Sequence, residues 1–281
     1  MLDKLKNFIK TKTFKHTDYS VKSNDSLKLF WWNKKYNFGD TINYELALNI
    51  SNKEVEWVPS NYNKEYFMAI GSILHRSNSK TLVWGSGLIS KSSYPIEKPK
   101  EIFAVRGPLT RERLLNLGIK CPDVYGDPAL LFPIYFNPKI EKRYELGIIP
   151  HYIDKNHNFF KNKFTSDVNI IDIENKNPYN FIKEVLQCKK IISSSLHGLI
   201  IADAYDIPSI HVNFSNNIKG GNFKFNDYFL SVKREVSDPI YITNKTSIKD
   251  VFKINFSYTK KINHNRLLEV CPFKQNINEF F

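Results

Sequence analysis

The sequence predicts an α/β protein built as two Rossmann-like domains that face each other across a cleft. The chain has 281 residues, which is long for one hydrophobic core and suits two cores of about 130 residues each. Apolar runs of strand length alternate with helical patterns along most of the chain, as in parallel sheets joined by crossover helices. Hydrophobic residues make up 42% of the chain and aromatic residues 14%, which is enough material for two buried cores.

The first domain is predicted to contain five parallel strands, because apolar runs in the first half of the chain mostly end in Gly, Ser or Pro. These runs are residues 27–32, 55–58, 66–70, 81–84 and 102–105. Residues 41–50 and 108–117 carry helical patterning, with Pro108 at a first-turn position and Gly118 just past the end of the second helix. Residues 133–143 contain two prolines and a charge cluster without a clear period, so the domains are predicted as 1–138 and 139–281.

The second domain repeats the alternation of strands and helices. Strands are predicted at residues 144–149, 168–173, 190–193 and 209–212, and helices at residues 178–187, after Ser195 and at 263–270. The remainder after residue 228 is less regular. Because parallel α/β domains carry their ligand loops at the carboxyl ends of the strands, two facing domains place a site in the cleft between them.

Charge and cysteine content narrow the class of protein. The formal charge of +13 favours an anionic partner, but lysine is abundant along the whole chain and also suits a solvated surface. No nucleic-acid-binding motif stands out, so no nucleic-acid role is predicted. The three cysteines are far apart and odd in number, which predicts neither a disulfide framework nor a zinc site and suits a reducing cytoplasm. No cofactor or metal is expected.

The N-terminal segment predicts contact with a membrane surface. No apolar run approaches the roughly 20 residues needed to cross a bilayer, and no signal peptide is recognised. Within residues 1–15, apolar side chains at helical spacing lie among five lysines, a pattern suited to an anionic surface. The protein is therefore expected in the cytoplasm, with peripheral contact at the inner face of the membrane. The alternative is a terminal helix that docks on the protein itself.

The strongest candidate site is a serine turn between a buried strand and an apolar helix, at residues 191–204. The first turn of a helix leaves backbone N–H groups without intrahelical partners, and with the helix dipole they attract an anion such as phosphate or carboxylate. The residues expected to contact this anion are Ser193, Ser194, Ser195 and Leu196. His197 follows in the first helical turn, where it is suited to proton transfer or phosphate contact.

A second candidate site is the loop before the first predicted helix, with Asn37, Asp40 and Asn43 as candidate ligands. Asp40 suits the N-cap position of that helix, and aspartate is a common N-cap. The same carboxylate could also accept a proton from a sugar hydroxyl brought by the opposing domain. Both roles are compatible in one residue.

Two further loops follow predicted strands. Gly85, Ser86 and Gly87 form a short turn that would let the backbone approach a ligand closely. Arg106 directly follows a strand, and the Gly-Pro turn after it is expected to direct its side chain into the cleft, where a guanidinium could bind carboxylate or phosphate. Asp127 precedes a proline and is expected to organise the domain junction.

Taken together, five short motifs resemble the polysaccharide pyruvyl transferase family, and they occur in the same order. They are Asn-Phe-Gly-Asp at 37–40, Gly-Ser-Gly-Leu at 85–88, Val-Arg-Gly-Pro at 105–108, Gly-Asp-Pro-Ala-Leu at 126–130 and Ser-Leu-His-Gly-Leu-Ile-Ile-Ala at 195–202. The resemblance implies a two-domain fold similar to GT-B glycosyltransferases, with the acceptor on the first domain and the donor on the second. Many members have an arginine where this chain has Ser195.

The resemblance also implies an activity: transfer of pyruvate from phosphoenolpyruvate onto two hydroxyls of a sugar, as a cyclic ketal, in a surface polysaccharide or its lipid-linked precursor. By this likeness Arg106 and His197 would bind the donor, and Asp40 would activate the hydroxyl. A glycosyltransferase of the same architecture, which would grip a nucleotide diphosphate with the serine turn, is the alternative. A carbohydrate or nucleic-acid binder without catalytic activity is a third reading.

Overall fold

The computed structural model describes residues 26–275 and contains two parallel β-sheets of five strands each. The first sheet contains β1 (Leu27–Phe30), β2 (Val55–Trp57), β3 (Tyr66–Met68), β4 (Thr81–Trp84) and β5 (Glu101–Ala104). The second contains β6 (Leu146–Ile149), β7 (Val168–Ile170), β8 (Ile191–Ser193), β9 (Ser209–Asn213) and β10 (Ile240–Tyr241). The predicted α/β class with parallel sheets is therefore confirmed, and β10 is a strand that the sequence did not indicate.

The helices cover the sheets and connect the strands. They are α1 (Phe38–Ser51), α2 (Pro108–Asn116), α3 (Phe132–Tyr135), α4 (Pro178–Leu186), α5 (Leu196–Ala204), α6 (Phe223–Ser231), α7 (Ile248–Phe252) and α8 (His264–Glu269). Every residue of β4, β6 and β8 is buried, as expected for parallel strands with helices on both faces. None of the helices between residues 26 and 275 is long and apolar enough to cross a membrane. The segment predicted to contact a membrane, residues 1–15, lies outside the described residues.

Both sheets have the same strand order. The first runs β2-β1-β3-β4-β5, and the second, β10-β9-β8-β6-β7, is the same order when its strands are counted from β6. In this doubly wound topology, the chain crosses from one side of the sheet to the other between the first and third strands, and ligands bind at the carboxyl ends there. The two sheets therefore present two such points, one after β1 and β3 and one after β6 and β8.

Local sequence signals account for most helix boundaries. Pro108 is the first residue of α2, and Gly118 follows the helix with a φ of 71°, as the Pro and Gly positions indicate. The helix after β1 begins earlier than predicted, because Asn37 is the N-cap and accepts a hydrogen bond from the N–H of Gly39. Asp40 is thus not the cap but a first-turn residue of α1. Helix α6 was not predicted from the sequence, and its N-cap residue, Asn222, makes no capping bond from its side chain.

Aromatic and backbone contacts join the part that carries the first sheet to the part that carries the second. The N–H of Phe38 donates to the carbonyl of Ile173 at 2.8 Å, and its ring stacks on Phe181 with centroids 4.1 Å apart. The Tyr179 hydroxyl donates to Glu45 at 2.8 Å. Helix α1 is thereby packed on α4. The GT-B-like arrangement and the division at residue 138 stay predictions.

Candidate functional site

The two strand-end regions meet at the start of α5. Gly39, in the first turn of α1, faces the imidazole of His197 so closely that a Cβ atom at Gly39 would lie 1.9 Å from its Nδ1. Gly71, after β3, lies beside Asp40, since a Cβ there would be 3.8 Å from Asp40 Oδ1. The predicted candidates Asp40 and His197, 157 positions apart in the sequence, are therefore brought into one region, since Asp40 directly follows Gly39.

His197 has two different surroundings for its two ring nitrogens. The side chain is 10% exposed, with Nδ1 beside Gly39. Nε2 lies 3.7 Å from Oδ2 of Asp127, a carboxylate that is completely buried. Neither of these two atoms has a hydrogen-bond partner among the described residues. Asp127 was predicted to organise the domain junction, and the sequence did not indicate its closeness to His197.

The serine turn differs from the expectation, because two of its hydroxyls are used inside the protein. Ser193 Oγ accepts the N–H of Ser195 at 2.9 Å and lies 2.9 Å from the carbonyl of Ile149. Ser194 Oγ donates to Asp154 at 2.8 Å and accepts the N–H of His151 at 2.8 Å. Both hydroxyls are completely buried, so they shape the turn and are not free to hold an anion.

What remains for a ligand at this turn is the start of α5 itself. The N–H groups of Leu196, His197 and Gly198 have no hydrogen-bond acceptor among residues 26–275. The hydroxyl of Ser195, the N-cap residue, likewise has none in the described part of the chain. Three free amides at a helix N-terminus suit an anion through their N–H groups and the helix dipole. At this turn the backbone amides, and not the hydroxyls of Ser193 and Ser194, are the free donors, and the binding of an anion here stays a prediction.

The carboxyl group of Asp40 has a raised pKa, because desolvation disfavours its ionised form. Although the residue as a whole is partly accessible to solvent, its carboxyl group is surrounded by protein, and this desolvation raises its pKa to about 8 while the positive charge of Lys224 opposes the rise. A carboxyl group of this kind can exchange protons near neutral pH. Its neighbour Asn43 is buried and bonded to both backbone groups of Ile70, so Asn43 fixes α1 to the end of β3.

Arg106 does not point into an open cleft as expected. Its side chain is completely buried, with Nη2 2.9 Å from Oδ2 of Asp227 and Nε donating to the same oxygen at 3.0 Å. The remaining donors reach Ser72 Oγ at 2.5 Å and the carbonyl of Leu88 at 2.7 Å. The guanidinium points into the protein because its partner carboxylate, Asp227, lies on α6. The sequence did not predict this helix, so the ion pair could not be foreseen. A role for Arg106 as a donor ligand stays a prediction.

The turn at residues 85–87 supports Arg106. A Cβ atom at Gly87 would lie 2.4 Å from Arg106 Cζ, and one at Gly85, whose φ is 91°, would lie 2.3 Å from Pro128. The hydroxyl of Ser86 donates to the carbonyl of Gly71 at 2.9 Å. The space that Gly85 and Gly87 leave is thus filled by Pro128 and Arg106. Contact of this turn with a ligand stays a prediction.

Lys224 is the functional candidate that the sequence analysis missed. It lies one turn before Asp227 on α6, is 8% exposed, and forms no hydrogen bond or ion pair with the described residues. Its burial and the charge of Arg106 lower its pKa to about 8. The sequence did carry a signal for this residue, since Lys224 stands between two phenylalanines. Burial of an ammonium among aromatic side chains is unfavourable unless an anion lies nearby, so such a lysine indicates an anion-binding role.

The charge of Lys224 acts on three other groups around the site. It partly offsets the rise in the pKa of Asp40. It also helps to lower the pKa of His151 and of His211 to about 3, where it is the second largest cause after burial. Both histidines are therefore neutral near pH 7. The site combines one proton-exchanging carboxyl group, one histidine, one unpaired ammonium and a helix N-terminus. No three His, Cys, Asp or Glu side chains among residues 26–275 form a group that could hold a metal ion.

Comparisons with known proteins agree with the motif resemblance. The sequence model of the polysaccharide pyruvyl transferase family matches residues 6–216. The uncharacterized protein L143 of Acanthamoeba polyphaga mimivirus is 36% identical over 207 residues, which are 69% of this chain and 70% of that protein. The succinoglycan biosynthesis protein ExoV of Rhizobium meliloti is 27% identical over 218 residues, which are 72% of this chain and 64% of that protein.

Among solved structures, the functionally uncharacterized protein KP1_0663 from Klebsiella pneumoniae matches with a TM-score of 0.43 and 12% identity over 82% of this chain and 93% of that chain. The sequence matches span about two thirds of the length of the two curated relatives.

Proposed function

This chain belongs to the polysaccharide pyruvyl transferase family, and from that premise we propose that it transfers pyruvate from phosphoenolpyruvate onto two hydroxyls of a sugar as a cyclic ketal. The observation that carries the proposal is the meeting of Asp40, His197 and the start of α5 at the two strand-end regions. The donor carries a phosphate and a carboxylate, and the acceptor carries hydroxyls. The site offers positive groups for the first and a proton acceptor for the second.

Two positive features suit the two anionic groups of the donor. The three free amides of α5 would hold one anion, and the unpaired ammonium of Lys224 would hold the other. Arg106 adds fixed positive charge, although its contact with Asp227 reduces what it offers to a ligand. The family resemblance implies an arginine where this chain has Ser195, and in this proposal the ammonium of Lys224 supplies the positive charge instead.

The reaction at the pyruvyl group consists of two additions and one departure. C3 of phosphoenolpyruvate gains a proton and becomes a methyl group, which leaves cationic character at C2. Two sugar oxygens bond to C2 and release their protons, while the bond from C2 to the phosphate oxygen breaks. Of the two protons released, one balances the proton gained by C3 and the other leaves with the phosphate.

Two side chains are suited to move these protons. His197 lies at the start of α5, beside the proposed anion site, and would deliver a proton to the donor. Asp40 approaches from α1 and, when ionised, would accept the proton of a hydroxyl. Because the positive site also stabilises the departing phosphate, the same groups would bind the donor and lower the barrier.

The proposed acceptor is a saccharide of a surface polysaccharide or of its lipid-linked precursor. This class of acceptor is supported by the family and by the relative named for succinoglycan biosynthesis. Location in the cytoplasm, with weak contact at the inner face of the membrane through residues 1–15, is part of the same proposal. No nucleic acid is needed for it.

The test is incubation of the full-length chain with phosphoenolpyruvate and a panel of oligosaccharides, with mass spectrometry and a phosphate assay as readouts. We expect a product that carries the added mass of a pyruvate ketal, with one phosphate released for each ketal. The His197→Gln variant serves as the inactive control. A sugar added from a nucleotide sugar, or stabilisation in a thermal-shift assay by nucleotide sugars and not by phosphoenolpyruvate, would replace this proposal with the glycosyltransferase.

A further inference from the structure

Asp127 is a completely buried carboxylate, and only one of its two oxygens has a hydrogen-bond partner among the described residues. Its Oδ1 accepts the N–H of Ala129 at 3.0 Å and thereby caps the short 3₁₀ helix Pro128–Leu131. Its Oδ2 is buried without a hydrogen-bond partner in the described part of the chain. A buried carboxylate oxygen without a partner is costly, so a nearby donor is expected to compensate for it.

The nearest such donor is the imidazole of His197. Its Nε2 lies 3.7 Å from Asp127 Oδ2 and is itself buried without a partner among residues 26–275. The separation is longer than a hydrogen bond but short enough for a direct electrostatic interaction between the two groups. A proton on Nε2 would satisfy both atoms at once, whereas a bare Nε2 would set a lone pair against a carboxylate.

The place of the carboxylate is fixed by the backbone around it. Gly126 has a φ of 144° and donates its N–H to the carbonyl of Val105, which ties the loop to the end of β5. On the other side, Pro128 packs so closely on Gly85 that a Cβ atom there would lie 2.3 Å away. Asp127 therefore holds its position independently of His197, which suits it to orient the ring.

We propose that Asp127 is a positioning residue that holds the proton on Nε2 of His197, so that Nδ1 is left to exchange protons with the substrate. Nδ1 is the nitrogen beside Gly39, at the start of α1 and on the side of Asp40. When Nδ1 takes a proton, the carboxylate stabilises the imidazolium; when Nδ1 gives it to the donor, Nε2 keeps its own. The inference rests on the proposed function for its catalytic consequence, but not for the tautomer.

The decisive variant is Asp127→Asn. The amide oxygen can still accept the N–H of Ala129, so the cap is retained while the charge beside Nε2 is lost. We expect kcat to fall by about 100-fold or more, with a much smaller change in KM for phosphoenolpyruvate, because ring orientation matters for proton transfer more than for binding. Asp123→Asn is the matched control, since it removes one negative charge from an exposed position four residues earlier.

Nitrogen NMR of histidine-labelled protein gives a readout independent of activity. We expect the wild-type His197, assigned by its loss in His197→Gln, to carry its neutral-form proton on Nε2, and Asp127→Asn to shift the population toward Nδ1–H. An unchanged tautomer in Asp127→Asn, or a fall in melting temperature that accounts for the loss of kcat, would overturn the inference. Failure of the wild-type chain to transfer pyruvate would refute the proposed function and leave the tautomer result to decide this one.

Discussion

His197 is held by contacts on two sides. Asp127 lies beyond Nε2, and Gly39 leaves room for Nδ1 because it has no side chain. The φ of Gly39 lies outside the left-handed region, so the need for glycine here is a need for space alone. Gly39 therefore provides the space into which the imidazole of His197 packs.

The Gly39→Ala variant is expected to lose transfer activity. Its Cβ atom would fall 1.9 Å from Nδ1, so the imidazole must move, and a displacement of about 1 Å at a reacting group can cost about 100-fold in rate. Thr41→Ala, two residues further along α1 at a partly exposed position, is the control. Wild-type kcat in Gly39→Ala would show that His197 acts from another position.

Arg106 forms a buried ion pair with Asp227, a structural role that the sequence did not indicate. Because Asp227 is also completely buried, removal of the guanidinium leaves a carboxylate without its countercharge. We expect Arg106→Met to lower the free energy of unfolding by about 3–5 kcal/mol, the usual cost of breaking a buried ion pair. Chemical denaturation measures this change, and Arg113→Met, on the helix α2 that follows Arg106, is the control. A loss below about 1 kcal/mol would contradict the buried pair.

The pKa values of Asp40 and Lys224, both about 8, predict a narrow pH optimum for the reaction. The base requires ionised Asp40, which predominates above its pKa of about 8, and anion binding requires charged Lys224, which predominates below its pKa of about 8. We therefore expect kcat/KM to rise toward pH 8 and to fall above it. The Lys224→Arg variant should move only the basic limb upward, since arginine keeps its charge. A profile that is flat from about pH 6 to pH 10 would exclude both roles.

At the scale of elements, the start of α5 depends on the serine turn beneath it. A Cβ atom at Gly198 would lie 2.4 Å from Ser193 Oγ and 3.1 Å from Ile149 Cγ2. The hydroxyls of Ser193 and Ser194 bond within the protein and fix the turn to the end of β6. The proposed anion site therefore rests on the start of the helix as a whole and not on any one serine.

The Gly198→Ala variant is expected to weaken the binding of phosphoenolpyruvate, because the new methyl group pushes α5 away from the turn. Isothermal titration measures the dissociation constant, which we expect to rise at least about tenfold, or about 1.4 kcal/mol. Gly118→Ala is the control, since its φ of 71° strains the backbone while no neighbouring atom lies within 4 Å. Equal affinity in both variants would separate α5 from the donor.

At the scale of the whole molecule, the two sheets repeat one topology and present their strand-end regions to each other. The contacts of α1 with α4 and of Gly39 with His197 place acidic and positive groups from distant parts of the chain around one space. The proposed donor and acceptor sides of the site both depend on this pairing.

Residues 1–15 are predicted to bring this site to its acceptor at the membrane. Each lysine near an anionic surface contributes about 1 kcal/mol, so the binding of a five-lysine segment should be weak and sensitive to salt. Deletion of these residues should reduce co-sedimentation with vesicles that contain anionic lipid and leave activity on a short oligosaccharide unchanged. Equal co-sedimentation of the two forms would refute the membrane role.

Local patterns in the sequence determined the α/β class, most strands and the loops that carry function. Strand runs, the proline at the start of α2 and the turn before α5 are visible without the fold, because each depends on neighbours a few residues away. Family membership is equally a property of the sequence, since it rests on the order of short motifs.

Only the tertiary structure decided which polar groups are free. Arg106 and Asp227 are 121 positions apart, and Gly39 meets His197 from the other sheet, so no local pattern could reveal these pairs. The same holds for the pKa of Asp40, which burial raises, and for the unpaired ammonium of Lys224. Desolvation and Coulomb energies depend on distance in space, and the fold brings together charges that the chain keeps far apart.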